Sequence, residues 1–204
     1  NLKDKALQFT TDYPNHLPTF RETMIGPITM QEVKKACQKA KASVAGLDNW
    51  EPEELAMLSD KACQWIAHLL HLIEDGAPWP DGMDHARAAY LSKNPANASC
   101  PLEYRVLLIL PGLYRRWGTI RLDSLQEWSD LWGCSEFYAG NGSQGAEDAW
   151  FALASHLGHM DMLGEQYTGG TVDIAKCFDQ VNPRLVEDMA RLAGMPHRVL
   201  DTYL

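Results

Sequence analysis

The sequence predicts a mixed α/β (α+β, helix-rich) protein, and three features carry that expectation. Of 204 residues, 46% are hydrophobic and 22% charged, enough apolar material for a packed core rather than a disordered chain. Over most of the length, apolar residues recur at spacings of three and four, the period of a helix buried along one stripe. Three short runs, Arg87 to Leu91, Tyr104 to Leu110 and Thr171 to Ile174, read instead as extended.

The residues up to about Pro27 are polar and proline-punctuated, and read as an arm or linker (residues 1–27). Thr29-Met-Gln-Glu32 then fits a capping box, in which hydroxyl and carboxylate satisfy orphan N–H groups at a helix start. Val33, Ala36, Cys37 and Ala40 follow at helical spacing, with Lys34, Lys35, Lys39 and Lys41 on the other face. After a turn at Gly46-Leu-Asp48, Pro52 suits the first position of a short helix, where its missing N–H costs nothing. A longer helix from about Lys61 to Glu74 has the apolar stripe Trp65, Ile66, Leu69, Leu70 and Ile73, and Gly76 is placed to end it. Gly76 to Asp84, with Pro78, Trp79 and Pro80, reads as a fixed corner.

The first two extended runs flank an Asn/Pro/Ala/Ser loop, which suits a hairpin or a flap. One long helix is expected from about Gly112 to Trp132, with Leu113, Trp117, Ile120, Leu125, Trp128 and Leu131 facing the core. A glycine-containing loop, Gly133 to Gly145, leads to another helix from about Ala146 to Met160. After the strand Thr171 to Ile174, Pro183 opens a further helix, closed by Gly194 and Pro196.

No apolar run approaches the roughly 20 residues needed to cross a bilayer, so no membrane partner is expected. The five cysteines are scattered without a CxxC, which argues for reduced thiols rather than a disulfide framework or a zinc ribbon. His68 with His71, and His156 with His159, are i,i+3 pairs lacking completing ligands, so zinc is not expected; nor does anything call for haem. The net charge of −9 argues against a nucleic-acid footprint, but its distribution is uneven. Between Ala86 and Leu122, Glu103 is the only acid against Arg87, Lys93, Arg105, Arg115, Arg116 and Arg121. From Asp123 to Gly170 there are eight acids and no Lys or Arg. Such blocks mark either a partner or simply a solvated face.

The sharpest chemical feature is Thr171-Val-Asp173-Ile-Ala-Lys-Cys-Phe178-Asp179. A carboxylate at the end of a buried strand is expensive unless a cation or strong donor compensates it. Asp173 suits Mg²⁺, which takes one or two protein carboxylates together with substrate phosphates. Capping of the turn after the strand is the plainer alternative.

From about Ile28 onward the chain resembles the early blocks of reverse transcriptases, most like the non-LTR retrotransposon and group II intron branch. Lys41 to Trp50 (KASVAGLDNW) resembles a K-x-P-G-P-D-G turn, and Glu53-Glu54-Leu55 the acidic start of the next helix. Ala86 to Lys93 resembles a strand ending in lysine. Tyr104-Arg105-Val-Leu-Leu-Ile-Leu resembles Y-R-P-I-S-L-L, with Tyr114-Arg-Arg116 and Arg121-Leu122 after it. Asp173 to Asp179, with Val181, resembles D-x-x-x-A-F-D-x-V. The five blocks occur in the family's order.

The resemblance implies a right-hand polymerase: fingers over residues 28–165 with part of the palm helices, then the first palm strand and its following helix over 166–204. It implies Asp173 as a catalytic carboxylate of a two-Mg²⁺ site and Ile174 as a backbone-carbonyl ligand. Lys93 and Arg105 would grip the nucleotide triphosphate, and Phe178 would be the gate against a ribose 2′-hydroxyl. RNA template, DNA primer and dNTP would be the partners, and the location intracellular, the nucleus among the options. Plainer roles remain open: Arg105 as a partner for Glu103, Lys93 as a solvated hairpin tip, Phe178 as core.

The chain also departs from the family. Val106 stands for proline, Leu108 for Ser or Thr, and Asn49 for glycine, while Glu136 to Asp148 keeps Asp148 but has none of the family's arginines. The family's block of two adjacent aspartates does not occur, and one carboxylate cannot hold two ions, so the fragment alone is expected to be inactive. Three functions follow for comparison: part of an RNA-directed DNA polymerase, a decayed or domesticated relative that binds nucleic acid or protein, or a helical interaction domain unrelated to polymerases.

Overall fold

The computed structural model describes residues 2–39, 43–93, 101–139, 144–174 and 177–203. Their regular structure is helix plus one two-stranded antiparallel sheet, so the helix-rich α+β expectation holds. They form two compact units that alternate along the chain. The first comprises Asn1–Thr23 and Gln126–Met195, the second Met24–Leu125 and Pro196–Leu204.

In the second unit, helix α2 (Met30–Gln38) opens with the expected capping box. Glu32 N–H donates to Thr29 Oγ1 (3.3 Å) and Thr29 N–H to the Glu32 carboxylate (2.7 Å). Ile28 and Val33, the positions of a hydrophobic staple across this box, are both buried. Ala40 and Lys41, expected to extend the helix, lie outside the described residues. Pro52 is the first residue of α3 (Pro52–Ala56). Helix α4 (Asp60–Glu74) is capped by Ser59 and followed by Gly76 at φ +104°, where a side chain would be strained. It packs against α2 and buries Cys63, Ala67, Leu70, Ile73 and Glu74. Trp65 is not in that stripe, contrary to expectation: it is 64% exposed, its ring 6.3 Å from that of His68. The buried face follows Cys63, Ala67, Leu70 and Glu74 at spacings of three and four, and Trp65 falls off it.

Strands β1 (Arg87–Ser92) and β2 (Tyr104–Ile109) form the expected hairpin, and the loop between them, 94–100, lies outside the described residues. Helix α5 (Gly112–Ser124) follows and buries Leu113, Trp117 and Ile120. Fully burying one such side chain contributes roughly 1.5–3 kcal/mol. The corner at residues 76–84 is held by Trp79, whose ring lies 4.9 Å from Tyr114 and 5.7 Å from Trp117. Its indole N–H donates to the Thr202 carbonyl (3.3 Å) in α9 (His197–Tyr203), a helix the sequence did not announce.

A buried ion pair closes this unit. Arg121 (3% exposed) and Glu74 (6%) face each other, with Arg121 Nε donating to Glu74 Oε1 (2.6 Å) and Arg121 Nη2 to Oε2. Trp117 Nε1 also donates to Oε1 (2.9 Å), and Arg121 Nη2 to the Gly26 carbonyl (3.1 Å). Both Glu74 oxygens and the Arg121 Nε and Nη2 groups have partners, which lowers the cost of burying the charges.

The expected long helix from Gly112 to Trp132 is two helices, α5 and α6 (Gln126–Trp132), separated at Leu125. Ser124 Oγ donates to the Ile120 carbonyl (3.1 Å), a side-chain competitor for the helical ladder that bends helices where it occurs. Leu131 is exposed rather than core.

In the first unit, the stretch read as an arm contains α1 (Leu2–Asp12), which packs on α8 (Pro183–Leu192). The carbonyls at the C-terminal end of α8 are satisfied from outside the helix. Phe20 N–H donates to Leu192 O (2.9 Å), Trp128 Nε1 to Ala193 O (2.8 Å) and Thr23 N–H to Gly194 O (2.9 Å). Gly194 sits at φ +73°, and a Cβ there would lie 2.3 Å from Arg21 O, so only glycine lets the strap close. Helix α7 (Ala146–Leu163) buries no residue among those described; Trp150 and Phe151 are open to solvent.

Candidate functional site

The hairpin register runs from Arg87↔Ile109 to Ser92↔Tyr104, and Lys93 N–H donates to Glu103 O (2.7 Å), carrying the pairing one step further. Leu91 and Arg105 are directly opposite each other in the register, and Lys93, one residue past the last strand pair, lies at the same end of the hairpin. Lys93 and Arg105 are both exposed. Two of the cations singled out in the sequence are thus brought together at the far end of the hairpin.

Four other basic residues of that block bond groups of their own chain. Arg87 Nη2 donates to Ala45 O (3.1 Å), Arg115 to Ser43 Oγ (2.8 Å) and Val44 O (3.1 Å), and Arg116 Nη1 to Ala36 O (3.1 Å). Arg121 is the buried partner of Glu74. Most of the charge block is therefore a set of clamps, three of whose bonds converge on residues 43–45.

That segment leads into the Gly46-Leu-Asp-Asn turn, closed by Asn49 N–H on Gly46 O (3.3 Å). A Cβ on Gly46 would lie 2.6 Å from both Leu110 O and Pro111 Cα, so backbone approaches backbone here as only glycine allows. Asn49 has φ +55°, the left-handed region that Asn tolerates best after glycine. Asp48 Oδ2 accepts from Gly112 N–H (2.6 Å) and Leu113 N–H (3.4 Å), standing as the anion at the N-terminus of α5. Sequence reasoning kept Asp48 as a motif residue and missed this role. It also missed Glu74, although a carboxylate in the last turn of an apolar helix opposes the helix dipole and so advertises a cationic partner.

Residues 171–174 are not a strand. Among the described residues no segment pairs with them, and an extended run is a strand only when its N–H and C=O groups find a ladder. Asp173 and Ile174 are accordingly exposed rather than at the end of a buried strand. Phe178 lies in a 3₁₀ turn, Cys177–Gln180, and is 92% exposed, so it is not core. Nothing is described for residues 175 and 176, nor for the Asp179 side chain. Lys93 and Arg105 belong to the second unit; Asp173, Ile174 and Phe178 belong to the first.

Asp148, singled out in the sequence, caps α7: its Oδ2 accepts from Gly145 N–H (2.8 Å). Among the described residues no three His, Cys, Asp or Glu side chains gather as a metal site. Asp173 and the Ile174 carbonyl offer oxygen donors of the kind a hard cation takes, but too few for a two-ion clamp. Among the described residues no helix is long and apolar enough to cross a membrane. Hollows of about 230, 520 and 120 Å³ occur in the structure, and none is lined by Lys93, Arg105, Asp173 or Phe178. Comparison with known proteins adds no relative: no family model, no curated protein and no solved structure matches the chain.

Proposed function

We propose that these residues are the fingers hairpin and first palm segment of a reverse-transcriptase-like, RNA-directed DNA polymerase. The observation that carries the reading is the hairpin register, which brings Arg105 and Lys93 to the same exposed end. Two cations there suit the triphosphate of an incoming dNTP, with arginine offering its planar fork and lysine a point charge. The turn at Gly46, Asp48 and Asn49 supports it too, because the glycines of the K-x-P-G-P-D-G pattern have physical counterparts: a close approach at Gly46 and a left-handed residue at Asn49.

In this reading Asp173, with the Ile174 carbonyl, holds Mg²⁺, which neutralises charge developing on the transferred phosphate. Phe178 stands beneath the sugar and excludes a 2′-hydroxyl. RNA template and DNA primer complete the site. The 204 residues contain no adjacent pair of aspartates, so catalysis is tested on a full-length polypeptide that carries one.

A second reading, a relative retained for binding without catalysis, is favoured by the net charge of −9 and by the use of Asp148 as a helix cap in a block without arginines. Mg²⁺-dependent primer extension on an RNA template, wild type against Asp173→Ala, separates the two. Extension abolished by the substitution supports the polymerase. A well-folded wild-type protein that never extends a primer supports the binding module.

A further inference from the structure

We infer that residues 43–49 form a pedestal that aims the β1–β2 hairpin, with Asp48 as the positioning residue that locks it. The functional side of this inference rests on the reading of Lys93 and Arg105 as a triphosphate grip. The hairpin is rooted at the pair Arg87↔Ile109, and both strands are tied there to the same short segment. On the β1 side, the Arg87 guanidinium donates back to Ala45 O (3.1 Å). On the β2 side, Leu110 and Pro111 lie against Gly46 so closely that a Cβ would intrude at 2.6 Å.

Asp48 completes the lock. Its Oδ2 accepts the Gly112 and Leu113 N–H groups (2.6 and 3.4 Å), fixing the turn to the first residues of α5. Helix α5 is in turn anchored by the buried side chains of Leu113, Trp117 and Ile120. Asp48 Oδ1 is buried without a hydrogen-bond partner among the described residues, a cost that a solvent-facing cap would avoid. The core therefore reaches residues 43–49 through the Asp48 carboxylate, the Gly46 contact and the two bonds of Arg115, and reaches β2 along the chain through Leu110 and Pro111.

The lever is long. Strands of six residues span about 20 Å, so a tilt of roughly 10° at the root carries the far end about 3.5 Å. Losses near 100-fold attend misplacements of about 1 Å at a reacting centre. Local anion capture by Lys93 and Arg105 does not depend on the tilt, because both residues ride on the hairpin. Delivery of the anion to a fixed partner does.

The two claims are therefore separable. Residual dipolar couplings of the 204-residue chain report the orientation of the β1–β2 amides against those of α4 and α5. In the wild type one alignment tensor is expected to fit all four elements. In Asp48→Ala the hairpin is expected to need its own, smaller tensor; Asp48→Leu, which fills the same buried space without an acceptor, serves if the alanine variant fails to fold. A single tensor in a folded variant overturns the inference. Titration with inorganic tripolyphosphate, read at the Lys93 and Arg105 amides, tests the grip itself. Shifts are expected in the wild type and equally in Asp48→Ala, but not in Lys93→Ala/Arg105→Ala. Absence of wild-type shifts defeats the grip while leaving the pedestal to the dipolar couplings. In the full-length polypeptide, Asp48→Ala is expected to lower kcat/KM for dNTP by about tenfold or more; an unchanged kcat/KM overturns the functional part.

Discussion

Removing Glu74 strands a charge. In Glu74→Ala, Arg121 stays buried with one carbonyl partner, Gly26 O, in place of a carboxylate that met both its Nε and its Nη2. Trp117 Nε1 loses its acceptor as well. Breaking a buried pair in this way costs about 3–5 kcal/mol. At about 4–8 °C per kcal/mol for a unit of this size, the melting midpoint of the second unit should fall by roughly 15 °C or more. Arg121→Ala should cost a similar amount, by leaving the carboxylate uncompensated. The double variant Glu74→Leu/Arg121→Met removes both charges and leaves mainly the Trp117 N–H unpaired, a penalty of about 1–3 kcal/mol. The double change should therefore be milder than either single one, with a coupling of at least about 3 kcal/mol. Urea unfolding of wild type, Glu74→Leu, Arg121→Met and the double variant, followed by far-UV circular dichroism and by tryptophan fluorescence, measures all four corners of the cycle. A loss below about 1 kcal/mol in Glu74→Ala, or a double variant as unstable as the sum of the singles, would refute the reasoning.

Two other tests address single residues. Asn49→Gly should stabilise the chain by a few tenths of a kcal/mol to about 1 kcal/mol, and Asn49→Val should destabilise it by at least about 1 kcal/mol, because φ is +55° there; thermal melts of both check this, and equal effects would count against the turn. Burial, then the neighbouring Cys63, pushes the Cys37 thiol up to about 11 from its ordinary 9. The folded state therefore keeps a proton that the unfolded state gives up, so this group's stabilisation is complete below about pH 9 and is lost as pH rises towards 11. A Cys37→Ala variant should show a flatter stability profile over that window in urea titrations; an unchanged slope would show that Cys37 is not the titrating group.

What was legible in the sequence was local. The Thr29–Glu32 box, Pro52 and Pro183 at helix starts, and Gly76 and Gly194 past helix ends all act within a few residues of themselves. The hairpin was legible because two short extended runs flank an Asn/Pro/Ala/Ser loop, a signal that is local. Trp65 was misplaced because periodicity gives a stripe without saying which of two adjacent stripes meets a neighbour. The run 171–174 was read as a strand from composition, but a strand is a relation to a partner, and none pairs with it among the described residues. Asp48 could be named as part of a motif but not as the cap of α5, since the bond spans 64 positions. The basic block misled for the same reason: whether an arginine faces a phosphate or a carbonyl of its own chain is decided by tertiary contact.

The pairing of α1 with α8 has a consequence for the order of events at the ribosome. An isolated 11-residue helix is marginal in water, so α1 gains lasting structure only when its partner exists. Its partner begins at Pro183. At synthesis rates of about 5–20 residues per second, the opening segment waits roughly 10–35 seconds before α8 has been made. Throughout that interval its apolar face is available to chaperones and to neighbouring nascent chains. The second unit can gather most of its core sooner, since Val33, Leu70 and Trp117 all precede residue 126. Folding of this chain is therefore expected to begin with the second unit and to reach α1 late.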